Sequence, residues 1–188
     1  MIDLKKITPL ETDRLILRKF KDDDAQMLYD NWGSDLEVSK YMLWKNNKSI
    51  DDAKNSIEYY KKCYEENANF RQYAIELKET GEVIGQISFE INKKHHNADI
   101  AYLLGKKYWK QGYMTEVINR LVDYLFDELN CIRVSAEVMI DNIPSINLLR
   151  KCNFIEEGIE HKKYLNKQKQ FTDIVLFAKI YDSFKENY

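Results

Sequence analysis

The sequence has little glycine and little proline, and this shortage limits the kind of protein it can encode. Its 188 residues include Gly 6 and Pro 2, whereas average usage would give about 22 of the two together. A collagen-like repeat, a flexible linker and a proline-rich recognition segment are therefore excluded. The composition is 44% hydrophobic and 32% charged, which is typical of a globular chain.

Long apolar runs are also missing. The longest continuous ones cover residues 100–104 and 174–178, far short of the roughly 20 residues that cross a bilayer. The segment from Met1 to Lys6 contains no apolar stretch of the kind that directs secretion. We therefore expect a cytoplasmic protein with no membrane partner.

Neither sign of charge is in excess, and cysteine is scarce. The chain has 29 Lys and Arg against 31 Asp and Glu, a net charge of −2. A nucleic-acid-binding domain usually carries a clear basic excess, so we expect no nucleic-acid partner. The three cysteines form no Cys-x-x-Cys pair and the three histidines lack metal-ligand spacing, which predicts free thiols and no metal site.

The apolar residues that are present predict an alternation of strands and helices. Period-two alternation predicts strands at 14–20, 132–138, 157–165 and 171–180, and a three-stranded antiparallel meander between 73 and 104. Helical spacing predicts helices that begin near 22, 50, 117 and 144. The resulting order, β-α-α-β-β-β-α-β-α-β-β, indicates one α/β (α+β) domain over residues 1–188 with a largely antiparallel sheet.

A basic loop at residues 105–112 precedes the longest predicted helix. Lys106, Lys107 and Lys110 add positive charge, and Gly112 stands where the helix begins. The free amides of a first helical turn bind anions, so a phosphorylated cofactor would fit here. The segment matches neither the P-loop nor the Rossmann glycine pattern. Taken alone, the loop fits an ordinary solvated helix start better than a phosphate site.

Six segments, taken in order, resemble one known family. They are residues 10–18, 81–89, 98–102, 108–116, 142–154 and 173–176. In order and spacing they are similar to the GNAT superfamily of acetyl-CoA-dependent N-acetyltransferases, above all to its ribosomal-protein-alanine N-terminal acetyltransferase branch. The resemblance covers about residues 8–182.

The resemblance implies a fold and a cosubstrate site. The fold is a twisted, mixed, mostly antiparallel sheet with flanking helices, whose fourth and fifth strands splay apart around acetyl-CoA. Backbone near residues 102–104 would pair with the pantetheine arm, and the amides of 111–115 would hold the pyrophosphate. The implied cofactor-binding residues are Tyr102, Leu103, Leu104, Gln111, Gly112, Tyr113, Met114, Thr115, Asn142 and Asn147.

The resemblance also suggests catalytic residues. Many superfamily members have a tyrosine acid where this chain has Leu149, and in the resembled branch the serine at the position of Ser145 can take that role. Glu137 is the first choice for a base that accepts the amine's proton, and Asp99, across the expected cleft, is the second. The alternatives are helix capping for Ser145 and solvated strand positions for the two carboxylates.

Two further departures and one further role follow from the same comparison. Trp109 and Met114 replace the residues usual in the pyrophosphate loop, although backbone amides do most of the binding there. The amide near Leu103 is a candidate donor to the reaction's oxyanion. Cys152, on a short helix, is expected to be buried, which disfavours a covalent acetyl-cysteine route.

The sequence leaves the acceptor and the oligomeric state open. The leading hypothesis is direct transfer of the acetyl group to a primary amine, with a protein N-terminus as one acceptor and a polyamine or antibiotic as the other. Acidic pairs at 22–24, 51–52 and 65–66 would suit a polycation, or they serve as helix caps and solvated faces. Trp32, Tyr41 and Trp44 are expected to shape the acceptor pocket. A non-catalytic acyl-CoA sensor is the competing class.

Overall fold

An eight-stranded sheet organises the computed structural model, which describes residues 8–66 and 69–181. Its strands are β1 (Leu10–Glu11), β2 (Leu15–Arg18), β3 (Phe70–Leu77), β4 (Val83–Asn92), β5 (Asn97–Leu104), β6 (Arg133–Met139), β7 (Ile155–Leu165) and β8 (Phe171–Ile180). They lie in the order β1-β2-β3-β4-β5-β6-β8-β7. Every adjacent pair is antiparallel except β5–β6. The predicted meander is β3–β4–β5, and the prediction of a mostly antiparallel sheet is confirmed.

Four α-helices flank the sheet in the described ranges. They are α1 (Ala25–Leu28), α2 (Ile50–Glu66), α3 (Tyr113–Asp123) and α4 (Ile143–Lys151). The apolar pattern from Val117 marks only part of α3, which begins directly after Gly112, as the position of this glycine predicts. Asn153, just beyond α4, has φ +62°, a left-handed conformation that asparagine tolerates. None of the described helices combines the length and apolar character needed to cross a membrane.

The two faces of the sheet bury different cores. Side chains alternate between faces along a strand, so Ile75 packs with α3 and α4 whereas its neighbour Ala74 packs with α1 and α2. Val117 and Leu121 fill the first core from α3, and both are fully buried. The sheet is therefore packed on both faces, and the ends of the helices lie beside the openings between its strands.

The β5–β6 pair separates soon after it forms. Its parallel register is Asn97 with Arg133, Ala98 with Val134 and Asp99 with Ser135, and no further pair follows. Beyond that point β5 continues along β4 and β6 continues along β8. The predicted splay is confirmed, and it leaves the β6-facing edge of β5 unpaired over residues 100–104.

A buried ionic cluster fastens β2 to the start of the helical layer. The Arg18 guanidinium donates to both carboxylate oxygens of Asp24 at 2.7 and 2.9 Å, and it is also paired with Glu76 on β3. Asp24 in addition accepts from the Lys21 amide at 2.7 Å. The Arg18 and Asp24 side chains are 11% and 2% exposed. Removing either partner would leave the other buried and incompletely paired.

We expect Asp24→Ala to lower the free energy of unfolding by about 3–5 kcal/mol, because it leaves the buried Arg18 guanidinium without this carboxylate. Urea unfolding followed by circular dichroism measures this loss. Lys54→Ala is the control, since the Lys54–Asp51 pair is exposed and the change should stay within about 0.5 kcal/mol. Equal losses in the two variants would contradict a special role for the buried cluster.

Candidate active site

The first helical turn of α3 forms an anion-binding corner beyond the end of β5. Gly112 caps the helix with φ +82° and ψ −5°, and no side chain caps the turn. A positive φ disfavours any residue with a Cβ, so the local backbone explains this glycine. The amides of the next residues lack helical acceptors. The corner therefore fits the pyrophosphate of acetyl-CoA.

Arg14 and Glu116 hold this corner to the edge of the sheet. Arg14 donates to the Gln111 carbonyl at 3.1 Å and to Glu116 at 2.8 Å, and its guanidinium lies 4.3 Å from the centre of the Tyr113 ring. Glu116 also accepts from the Arg14 amide at 3.0 Å and from the Thr12 hydroxyl. Sequence reasoning missed this clamp, although its residues lie within two of the segments that carry the family resemblance.

Hydrogen bonds keep Glu116 ionised within the clamp. Burial acts to raise the pKa of this carboxyl, but the bonds from Thr12 and Arg14 prevail and hold the pKa below its usual value. The carboxylate therefore keeps its charge at neutral pH. Its position in the first turn of α3 also complements the positive end of the helix dipole.

The lysines of the loop contribute less free charge than expected. Lys106 is ion-paired with Glu37, and the Lys107 ammonium lies 3.7 Å from Glu82. Within the described ranges Lys110 is the loop lysine for which no carboxylate partner is found. The anion site therefore depends more on backbone amides than the sequence suggests.

Trp109 modifies the expected cofactor edge of β5. Its indole N–H donates to the Leu104 carbonyl at 2.8 Å, so that carbonyl already has a partner. Leu103 lines the groove described below, next to the unpaired edge. Trp109 departs from the residue usual in the family at this position. Through this hydrogen bond it fastens the loop to the end of β5.

The remaining positions that the resemblance implies lie in the loop, in the first turn of α3 and on α4. The Gln111 side chain donates to the Lys107 carbonyl at 3.0 Å and so stabilises the loop. Met114 is buried, Thr115 is half-buried in the first turn of α3, and Asn147 is exposed on α4. Residues 111–115 therefore offer backbone groups rather than side chains to a ligand.

Asn142 caps helix α4, which leaves the Ser145 hydroxyl available for another contact. Asn142 is the N-cap of α4, and its side-chain oxygen accepts from the Ser145 amide at 3.4 Å. The Ser145 hydroxyl instead lies 2.8 Å from the phenolic oxygen of Tyr102 on β5. The pair bridges the splay between β5 and the helix that follows β6. Sequence reasoning assigned Tyr102 through its backbone and missed its side chain.

Tyr102 keeps its proton in this pair. Burial raises the pKa of its phenol, although the bond to Ser145 acts in the opposite direction. A phenol that stays protonated can orient the neighbouring hydroxyl without being consumed. Ser145 is therefore held in one place at the splay, as a proton donor needs to be.

Glu137 projects from β6 into the open side of the splay. One of its oxygens accepts from the Lys163 ammonium at 2.6 Å and the other from the Tyr164 hydroxyl at 2.9 Å. The bonds that Lys163 donates to Glu137 and to Glu160 raise the pKa of Lys163, so this ammonium keeps its charge. Glu137 is thus an ion-paired carboxylate with both oxygens engaged, rather than the free solvated residue of the alternative interpretation.

A bulge in β7 brings Lys163 and Tyr164 to Glu137. The strand advances from residue 160 to 164 while β8 passes from 174 to 172. Asp173 holds the extra residues, since it accepts from the Lys162 amide and pairs with His161, both at 2.8 Å. These bonds lower the pKa of Asp173, the Lys162 amide most of all. Bulges often re-aim side chains beside active sites.

Asp99 occupies a different position. It lies in the last paired register of β5 and β6, where it accepts from the Ser135 hydroxyl at 2.5 Å. Glu137 lines the open groove, and Asp99 does not. Of the two candidate bases, the structure therefore brings Glu137 to the splay and leaves Asp99 at its closed end.

An apolar groove of about 730 Å³ opens onto the splay. The β-strand residues Leu103, Glu137 and Met139 form its inner side, and the helical layer forms its outer side. Trp32, Tyr41 and Trp44 all line it, as the sequence predicts. The acidic residues at 22–24, 51–52 and 65–66 do not line it, which favours their alternative interpretation as helix caps and solvated faces.

Two other sequence expectations concern the short helix α4. Leu149 is fully buried and cannot replace the tyrosine acid of other superfamily members. Cys152 is 1% exposed and burial raises the pKa of its thiol, which argues against a covalent acetyl-cysteine step. In the described part of the chain no three His, Cys, Asp or Glu side chains cluster as metal ligands.

Comparison with known proteins identifies the family. The family model described as "Acetyltransferase (GNAT) domain" matches residues 14–155. The chain belongs to the GNAT acetyltransferase family. It is 38% identical over 151 residues to the uncharacterized N-acetyltransferase YoaA of Bacillus subtilis, an alignment that covers 80% of this chain and 84% of that protein. The GNAT chain described here is therefore an acetyl-CoA-dependent N-acetyltransferase.

Solved structures share its fold at low sequence identity. A ribosomal L7/L12 α-N-protein acetyltransferase, RimL, in complex with coenzyme A has a TM-score of 0.83 at 18% identity, covering 94% of this chain and 99% of that chain. A spermidine N-acetyltransferase from Vibrio cholerae in complex with CoA and spermine has a TM-score of 0.77 at 22% identity, covering 90% and 97%. One fold thus serves both a protein acceptor and a polyamine acceptor.

We expect Glu116→Gln to weaken acetyl-CoA binding about tenfold, equivalent to about 1.4 kcal/mol, because the uncharged amide holds Arg14 less firmly. Titration calorimetry measures the Kd. Glu128→Gln is the control, since Glu128 forms an exposed pair with Arg120 at 3.6 Å away from the corner. An unchanged Kd in Glu116→Gln would show that the clamp does not support the anion site.

Proposed function

We propose that the protein acetylates a primary amine by direct attack within a ternary complex, and that the amine is a protein N-terminus. One observation carries the proposal. A single groove is lined by both Glu137 and Tyr102, and the Tyr102 hydroxyl lies 2.8 Å from Ser145. A proton acceptor and a proton donor therefore flank the place where β5 and β6 separate.

The first chemical step is the loss of a proton from the acceptor ammonium, which has no lone pair until then. Glu137 accepts this proton through a water molecule. The bonds from Lys163 and Tyr164 orient Glu137. An α-ammonium, whose ordinary pKa is about 7.7–8.0, gives up its proton to a carboxylate more readily than an alkylammonium near 10.4.

The second step is attack of the neutral amine on the thioester carbonyl, where acetyl-CoA supplies the activated acetyl group. A backbone amide near Leu103, on the unpaired edge of β5, donates to the oxyanion. Ser145 donates its hydroxyl proton to the departing sulfur and regains a proton from the nitrogen of the new amide, while Tyr102 orients that hydroxyl and keeps its own proton. Each of these residues acts from a fixed element, β5 or α4.

The test begins with acetyl-CoA binding by calorimetry and continues with thiol release against a panel of amines. The panel contains peptides with free N-termini, spermidine and an aminoglycoside. Transfer to the peptides confirms the proposal. Transfer to spermidine or to the aminoglycoside alone would replace it with a small-amine acetyltransferase, and binding without any transfer would favour an acyl-CoA sensor.

We expect Ser145→Ala to lower kcat by about 10²–10³, within the range for loss of a positioned proton donor, without changing the Kd for acetyl-CoA. Tyr102→Phe should lower kcat about tenfold, because Ser145 remains but loses its hydrogen-bond partner. Steady-state kinetics with the best acceptor of the panel measures both. If Ser145→Ala kept full kcat, Ser145 would not be the acid.

We expect Glu137→Gln to lower kcat/KM most strongly below the pKa of the acceptor amine. At higher pH the amine is already neutral and needs no base, so the activity of the variant should approach that of the wild type. Profiles of kcat/KM against pH for the two proteins test this. Parallel profiles would assign Glu137 a structural role through Lys163 and Tyr164.

A further inference from the structure

We infer that the acceptor carries a single ammonium beside a flat, apolar body, and that polyamines are poor substrates. This inference rests on the proposed function and names the class of amine that the groove takes. Two independent features of the groove support it, the shape and polarity of its lining and the distribution of charge around it.

The lining is mostly apolar, and much of it is aromatic. Trp44 and Tyr41 line the groove from the segment before α2, and Tyr59 lines it from α2 itself. Tyr59 is 62% exposed and the neighbouring groove residue Leu43 is 61% exposed. Large apolar side chains left open around a cleft indicate that an apolar ligand covers them.

The groove has no free carboxylate for a second ammonium. Lys45 and Glu137 are the charged residues in its lining as far as the described ranges show. Glu137 is already neutralised by Lys163 at 2.6 Å. One ammonium can approach Glu137 as it loses its proton, but a second would find no carboxylate among the described residues of the lining.

Lysines at the rim add repulsion. The Lys167 ammonium lies 5.3 Å from the centre of the Trp44 ring and donates to the Asn46 side chain at 2.8 Å. Burial of the Lys167 side chain lowers its pKa. Lys167 and Lys45, which lines the groove, add positive charge there, so a polycation is disfavoured.

The acidic residues that could attract a polyamine are engaged elsewhere. Asp22 pairs with Lys61, Asp24 with Arg18, and Asp51 with Lys54. Asp52 accepts from the backbone amides of residues 48 and 49. None of the four lines the groove. Their charges instead stabilise helix starts and pair with nearby cations.

A flat apolar amine has two sources, a small aromatic amine and a peptide whose first residue is apolar. Both present one ammonium next to a hydrophobic group, and the groove recognises this shared chemistry. The experiment therefore includes phenethylamine for the first source and the tetrapeptide amides Phe-Ala-Ala-Ala and Lys-Ala-Ala-Ala for the second.

The decisive comparison is between hexylamine and 1,6-diaminohexane, which have the same chain and differ by one ammonium. We expect kcat/KM to be at least about tenfold higher for hexylamine, and higher for Phe-Ala-Ala-Ala than for Lys-Ala-Ala-Ala. Tryptophan fluorescence titration with CoA present gives the same order of affinities without turnover. Equal or better use of the diamine overturns the inference while leaving amine acetylation intact.

Two variants localise the selectivity. Lys167→Glu reverses a charge at the rim of the groove and should lower the kcat/KM ratio of hexylamine to 1,6-diaminohexane by about threefold or more. Lys94→Glu, in the exposed turn between β4 and β5, should leave that ratio unchanged. Trp44→Ala should raise the KM for phenethylamine without changing that for acetyl-CoA. If neither groove variant moves selectivity, the groove is not the acceptor site.

If no amine is acetylated although acetyl-CoA binds, the proposed function fails. The fluorescence titration then still judges the groove by itself. Tighter binding of hexylamine than of 1,6-diaminohexane supports apolar monoamine recognition, and the reverse order overturns it. The two failures are therefore distinguishable.

Discussion

The early end of the β5–β6 pairing is the constraint on which the site depends. A parallel pair normally continues as long as both strands can donate and accept hydrogen bonds, yet here it stops after the register of Asp99 with Ser135. Each strand keeps its other neighbour, β4 for β5 and β8 for β6. The sheet is therefore stable on both sides of a gap, and that gap is where acetyl-CoA and the amine are expected to meet.

The residues around the gap are positioned by charge as well as by packing. Arg14 and Glu116 fasten the first turn of α3 to the sheet edge, and Lys163 holds Glu137 from the bulged β7. Both ion pairs reach across elements distant in sequence. Charged pairs of this kind contribute little to overall stability when exposed, but they fix the direction of a loop and a carboxylate.

The groove beside the gap is lined mainly by apolar side chains rather than by ion pairs. Its surface is largely aromatic and aliphatic, and its single carboxylate is already paired. The same fold in other proteins serves a ribosomal protein and a polyamine. Acceptor choice therefore depends on the segments that line the groove, since the cosubstrate side is built from the common strand–loop–helix unit.

The sequence by itself determined the order of elements apart from the two-residue β1, the meander and the helix start near Pro144, because each depends on local periodicity or local backbone preference. Together with the motifs it also located the corner at Gly112. The tertiary structure decided which side chains meet, as in the Tyr102–Ser145 pair, the Arg14–Glu116 clamp and the separation of Glu137 from Asp99. These contacts depend on strand register, on the β7 bulge and on the splay, and nothing in the local sequence specifies how far apart two strands will drift.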